Sequence, residues 1–127
     1  PLNLERLRAF LAALPRRRVH VLELRDPTWY TEEVFTLLAS HRVGLCLHDM
    51  QGSASGMVDV GPLVYVRFHG TDRYSGSYSD ERLARWADWL VARVRRDVPV
   101  YAYFNNDVGG HAPKDAARLR RFIAERL

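Results

Sequence analysis

The stretch VYVRFHG, Val64–Gly70, runs β-prone residues straight into Arg67 and His69. In an extended chain these two share a face, because successive side chains alternate. A guanidinium offers a planar fork of donors that fits a phosphate or a carboxylate. An imidazole titrates near neutrality and can act as acid, base or metal ligand. Similar groups end three other apolar runs: Glu23 and Arg25 in VLELR, Asp49 in GLCLHD, and Asn105 and Asn106 in YAYFNN. Glu23 and Asp49 suit a general base and its partner, or oxygen ligands for a divalent metal. The asparagines suit hydrogen bonding to a substrate, and Tyr74 and Tyr78, in the loop after His69, suit stacking on a sugar or a base. Each group also has a plainer use. His69 can be satisfied by backbone, Arg67 by Glu23 or Asp49, Arg25 by Glu23, and the tyrosines can cover the core.

These groups must be positioned by alternating elements. Residues 3–14 put Leu4, Leu7, Leu11 and Leu14 on one helical stripe, and Pro15 ends it. Residues 19–24 read as a strand, broken by Asp26-Pro27. Thr31 caps a helix running to His41, with Glu32 and Glu33 in its first turn where they suit the helix dipole. Residues 43–49 form a second strand, and the GSASG stretch leads to a third over 63–69. Ser79 caps a helix with the stripe Leu83, Trp86, Ala87, Leu90 and Val94. A fourth strand over 99–106 precedes a last helix opened by Pro113, carrying Ala116, Leu119, Ile123 and Leu127.

Apolar strands alternating with helices predict one α/β domain over 1–127, a parallel sheet covered by helices. Residues 50–62 are barely the dozen or so that a parallel crossover needs, so an irregular loop or a short helix must make that link. Strand parity groups Val21, Glu23 and Arg25; Leu45, Leu47 and Asp49; Tyr65, Arg67 and His69; and Tyr101, Tyr103 and Asn105. On this reading Cys46 and His48 belong to the helix-packing set. Each polar set becomes polar only at the C-terminal end of its strand, where parallel α/β folds collect binding and catalytic groups. A pocket is therefore expected there.

Composition narrows the classes. The apolar and charged fractions, 47% and 27%, are those of a folded soluble chain. No apolar run reaches the roughly 20 residues that span a bilayer, and no cleavable signal opens the chain. The single Cys46 excludes an internal disulfide, and a reducing cytoplasm is the expected location. The net charge of +4 invites a nucleic-acid reading, but the basic residues are almost all arginine and fall mostly on helix faces. Nucleic acid is therefore not an expected partner. No cofactor is expected, and no tightly bound metal, since zinc would want several His or Cys ligands.

The segment Glu23-Leu24-Arg25-Asp26-Pro27-Thr28-Trp29 is similar to an E-x-R-x-x-S-W element, with Thr28 where serine is usual. With Asp49, the run Val66-Arg67-Phe68-His69-Gly70, Tyr74, Tyr78, Trp86-Ala87 and Tyr103-Phe104-Asn105-Asn106, the chain resembles domain-of-unknown-function family 72, the YecE-like proteins. That resemblance implies a TIM-type (β/α) barrel of which this chain is the C-terminal half, its last four strands. The half-barrel is either a fragment or is completed by a second copy in a homodimer. The family lends no settled activity. The expected function is an enzyme acting on a small anionic or polyhydroxylated substrate. In it Arg67 binds the anion, aided by Arg25, Tyr74, Tyr78, Asn105 and Asn106. His69 moves the proton, and Glu23 and Asp49 share the base role. The alternative is a non-catalytic module that binds a ligand, a partner or nucleic acid.

Overall fold

Asn3, Thr31 and Ser79 accept the backbone N–H groups of Arg6, Val34 and Arg82, and so set the starts of three helices in the computed structural model. These are α1 (Leu4–Ala13), α2 (Glu32–Ser40) and α3 (Asp80–Val94). The last helix, α4 (His111–Arg126), begins earlier than Pro113, behind Gly110 at φ +74°. Pro113 then sits in the first turn, where its missing N–H leaves no intrahelical bond unmade. The structure describes residues 1–50, 55–72 and 74–127.

The strands are β1 (His20–Leu22), β2 (Val43–Asp49), β3 (Val64–Phe68) and β4 (Val100–Phe104), paired in that order and all parallel. β1 is shorter than expected, and where only a breaker was expected a 3-10 turn over Pro27–Trp29 follows it, capped by the Asp26 side chain. In the connection from β2 to β3 none of the described residues is helical. The GSASG stretch falls partly outside the described residues, as does Arg73 in the loop after β3.

The core lies between the sheet and the helices, where Leu45, Leu47, Val64, Val66 and Phe68 meet Val34, Leu38, Leu83, Leu90 and Leu119. Each side chain buried there contributes roughly 1.5–3 kcal/mol. Phe68 is its hub, stacked on Phe104 at 4.4 Å and edge-on to Trp86 at 5.1 Å. On the other side of the sheet Tyr101 and Tyr103 are half exposed. Among the described residues no helix is long and apolar enough to cross a membrane.

Register corrects one expectation. Cys46 pairs with Tyr65, Leu47 with Val66, His48 with Arg67 and Asp49 with Phe68. In-register neighbours in a parallel sheet point the same way. Asp49 therefore points toward the helices with Phe68, while Cys46 and His48 share the open face with Tyr65 and Arg67. All seven residues of β2 are buried, so its apolar pattern is alike on both faces and only the polar end residue guided the assignment.

Candidate functional site

Arg67 stands near the end of β3 and reaches sideways both ways, past β2 to the residue after β1 and across to the residue after β4. Its Nη1 donates to Glu23 Oε2 at 2.8 Å and its Nε to Asn105 Oδ1 at 3.2 Å. Arg25, largely in solvent, lies 3.6 Å from the other Glu23 oxygen. One carboxylate between two guanidinium groups leaves an excess of positive charge at the strand ends, and a bidentate anion fits such donors.

His69 follows on the same face. Its backbone N–H donates to the Asp49 carbonyl at 2.8 Å, extending the ladder one residue past β3. The ring is only 3% exposed, and its Nδ1 has no hydrogen-bond partner among the described residues. Burial first, and then the positive charge of Arg67, holds its pKa below the ordinary imidazole value. The Tyr74 ring meets it edge to face at 5.2 Å. The turn beyond depends on Gly70, held at φ +102°, where a Cβ would come within 2.1 Å of the Ser75 carbonyl oxygen.

His69, Glu23, Arg25, His48, Met50 and Tyr74 line a small pocket of about 80 Å³. His48 Nε2 lies 2.9 Å from the Tyr30 hydroxyl. That hydroxyl gives its one proton to the Leu24 carbonyl, so the network assigns the Nε2–H as donor to Tyr30. Burial, with Cys46 and Glu23 nearby, pushes the Tyr30 hydroxyl up to about 12, and it stays protonated at neutral pH. The pocket therefore holds two imidazoles, a carboxylate and a cation around a space that accepts one small polar group. Among the described residues no cluster of three or more His, Cys, Asp or Glu side chains is placed to hold a metal ion.

Of the expected site residues, Glu23, Arg25, Arg67, His69, Tyr74 and Asn105 come together at this end. Three do not. Asp49 lies behind the sheet, where Arg82 grips its carboxylate through Nε and Nη2 and Trp86 Nε1 donates to it at 2.9 Å. Tyr78 is buried, its hydroxyl accepting from Gly70 N–H at 2.8 Å and donating to the Asp49 carbonyl. Asn106 is fully buried and donates to the Gly76 carbonyl and to Asp115. Tyr30, His48 and Met50 escaped the sequence reading. His48 adjoins the candidate Asp49, but its side depends on which β3 residue stands beside it.

Across known protein families, residues 1–127 match the model described as "Protein of unknown function DUF72". Among solved structures, the chain is similar to a DUF72 family protein from Thermotoga maritima MSB8, at 24% identity and a TM-score of 0.81. It is also similar to one from Enterococcus faecalis V583, at 20% identity and a TM-score of 0.71. Both alignments cover 95% of this chain and 51% of the other, so the chain spans about half the length of the solved structures it matches. No curated protein gives a significant match. At these identities the likeness to solved structures concerns the fold.

Proposed function

The chain belongs to the DUF72 family, whose function is unknown, and from that premise we propose that its strand-end pocket is the acid–base site of an enzyme for small anionic or polyhydroxylated substrates. The observation that carries this reading is His69, which lines the pocket and whose buried Nδ1 has no protein partner among the described residues. A buried ring nitrogen left without a partner is costly unless something else meets it. Because the imidazole is held toward its neutral form, it acts as proton acceptor. Arg67, fixed by Glu23 and Asn105, and the freer Arg25 bind the substrate's anionic or hydroxyl group. His48, anchored on Tyr30, supplies a second imidazole. Asp49, Tyr78 and Asn106 act from behind, by holding the strand end and its loop. The lone buried Cys46 suits a reducing cytoplasm, where we place the protein.

The test is a panel of small phosphates, carboxylates and sugars, scored for thermal stabilisation and turnover on wild type, His69→Ala and Arg67→Ala. The expected result is anion binding lost in Arg67→Ala, and turnover lost in His69→Ala with binding retained. If both variants fold and keep every binding and turnover signal, the reading fails. Binding without turnover in wild type, undiminished in His69→Ala, would make the pocket a non-catalytic binding site.

A further inference from the structure

Among the described residues of the loop after β3, three stand at positive φ, and two of them are glycines. Gly70 and Gly76 have φ +102° and +82°, and a Cβ on Gly76 would come within 2.1 Å of Thr71 Oγ1. The third is Tyr74, at φ +62°. That angle is costly for any residue with a Cβ, and for a bulky one it is a true outlier. Asp72 and Ser75 exchange backbone hydrogen bonds around it, and the Ser75 hydroxyl donates to the Asp72 carbonyl at 2.7 Å. Tyr74 is thus the third residue of a tight turn, where a positive φ ordinarily calls for glycine or asparagine. The Val108 N–H, from the loop after β4, lies 3.4 Å from the Tyr74 carbonyl and holds the turn on its other side. These bonds are all made within the two loops.

The strain has a counterpart beside it. The Asp49 carbonyl fixes the backbone of His69, but its ring has no such anchor at Nδ1, which is without a hydrogen-bond partner among the described residues. The torsion that turns an imidazole is soft, so packing must hold the ring. Among the described residues the ring that meets it is that of Tyr74, at 88° to it with the centroids 5.2 Å apart. Contacts of this edge-to-face kind are directional. A glycine at 74 would relax the backbone, as glycine does at 70 and 76, and would leave the imidazole without this wall. Keeping a tyrosine at the strained position points to a use for its ring.

We propose that Tyr74 is a positioning residue for His69, its ring held edge-on to the imidazole by the strained turn so that the unpartnered nitrogen keeps one direction. The inference rests on the reading of His69 as the proton acceptor of the strand-end pocket. An aromatic pair of this geometry biases the orientation of the imidazole by about two- to tenfold. It also keeps water from the ring. The charged and titratable groups around His69 are Arg67 from β3, Glu23 and Arg25 from the segment after β1, and His48 from β2. Tyr74 is what the loop adds to them.

Tyr74→Phe, Tyr74→Ala and Tyr74→Gly in the full chain test it, by thermal denaturation and by nuclear magnetic resonance of the imidazole protons. The His69 signals are those missing from His69→Asn. Tyr74→Gly should melt within about 4 °C of wild type, because the strain it relieves offsets the contact it loses. In Tyr74→Ala and Tyr74→Gly the His69 protons should lose the shift that the neighbouring ring imposes. Water admitted to the imidazole should bring its pKa up toward the ordinary value. Ethoxyformylation of His69 should run about two- to tenfold faster in both. Tyr74→Phe keeps the ring and should match wild type in all three readings. The inference is overturned if the alanine variant leaves the His69 signals and pKa unchanged, or if phenylalanine does not restore them. A fall in Tm larger than that expected for Tyr74→Gly would make the tyrosine a core residue and overturn it too. None of these readings needs a substrate. A freed ring in a protein that binds no anion would overturn the acid–base reading alone. An unmoved ring, with anion binding lost in Arg67→Ala, would overturn this inference alone.

Discussion

Replacing Asp49 with alanine separates a pocket carboxylate from one that holds the fold together. Asp49 is 4% exposed, and it accepts from Arg82 and from the indole N–H of Trp86. Removing one partner of a buried ion pair costs about 3–5 kcal/mol. Arg82 is 31% exposed and can turn back toward water, which brings that part down to about 2 kcal/mol. The Trp86 N–H, left in the core without an acceptor, adds about 1–3 kcal/mol. The sum is a loss of about 3–5 kcal/mol. At about 4 °C per kcal/mol for a domain of this size, Tm falls by roughly 12–20 °C in thermal denaturation followed by circular dichroism. Asp49→Asn keeps an oxygen for Trp86 and should lose about half as much. If Asp49→Ala melts within about 2 °C of wild type yet abolishes pocket binding or turnover, the carboxylate faces the pocket and the register argument is wrong.

Three other outcomes follow from single contacts. Gly70→Ala places a methyl group 2.1 Å from the Ser75 oxygen at a backbone angle that disfavours side chains, and should cost about 3 kcal/mol or more; a variant as stable as wild type in urea refutes that turn. His69, with its folded pKa lowered, binds fewer protons than in the unfolded chain across the window below 6.5. Its contribution to stability is therefore complete above 6.5 and lost as pH falls through that window, and the urea midpoint of wild type should drop more than that of His69→Asn between pH 7.5 and 5.5 (the reverse order refutes it). Cys46, buried and with its thiol pushed up to about 11, should react with a disulfide reagent only as fast as the protein unfolds; fast labelling of the native protein would refute this.

Much of the fold could be read from the sequence because the local signals agreed. Asn3 went unremarked, but Thr31 and Ser79 cap the helices they were expected to cap, and β2 keeps its expected bounds of 43–49. The parallel α/β arrangement, the family and the half-length relation to its members all stand as expected. Parity placed Arg67, His69, Glu23 and Asn105 correctly because β1, β3 and β4 each carry an apolar set on one face and a polar end on the other. It failed on β2, where both faces are apolar until the last residues and His48 and Asp49 compete for the open side. Only the neighbour across the ladder decides between them, and that contact joins residues far apart in sequence. Tyr30 was hidden for the same reason, since its bond to His48 spans two elements.

The expected site residues that stay out of the pocket have a common position behind it. The Asp49 carbonyl accepts both the His69 N–H and the Tyr78 hydroxyl, while its carboxylate ties β2 to α3. Tyr78 in turn accepts from Gly70, the residue that turns the chain away beneath His69. Asn106 and Arg118 converge on Asp115, which also accepts the Ser77 hydroxyl and the Tyr78 N–H, so the loop after β3 is fastened to α4. A buried imidazole with an unpartnered nitrogen needs such support, because any slack would let the ring turn to find a partner. Polar residues at strand ends thus divide into those that face the open side and those that brace it from the helix side. Both kinds end an apolar strand on a charge or an amide, and for that reason they look alike in the sequence.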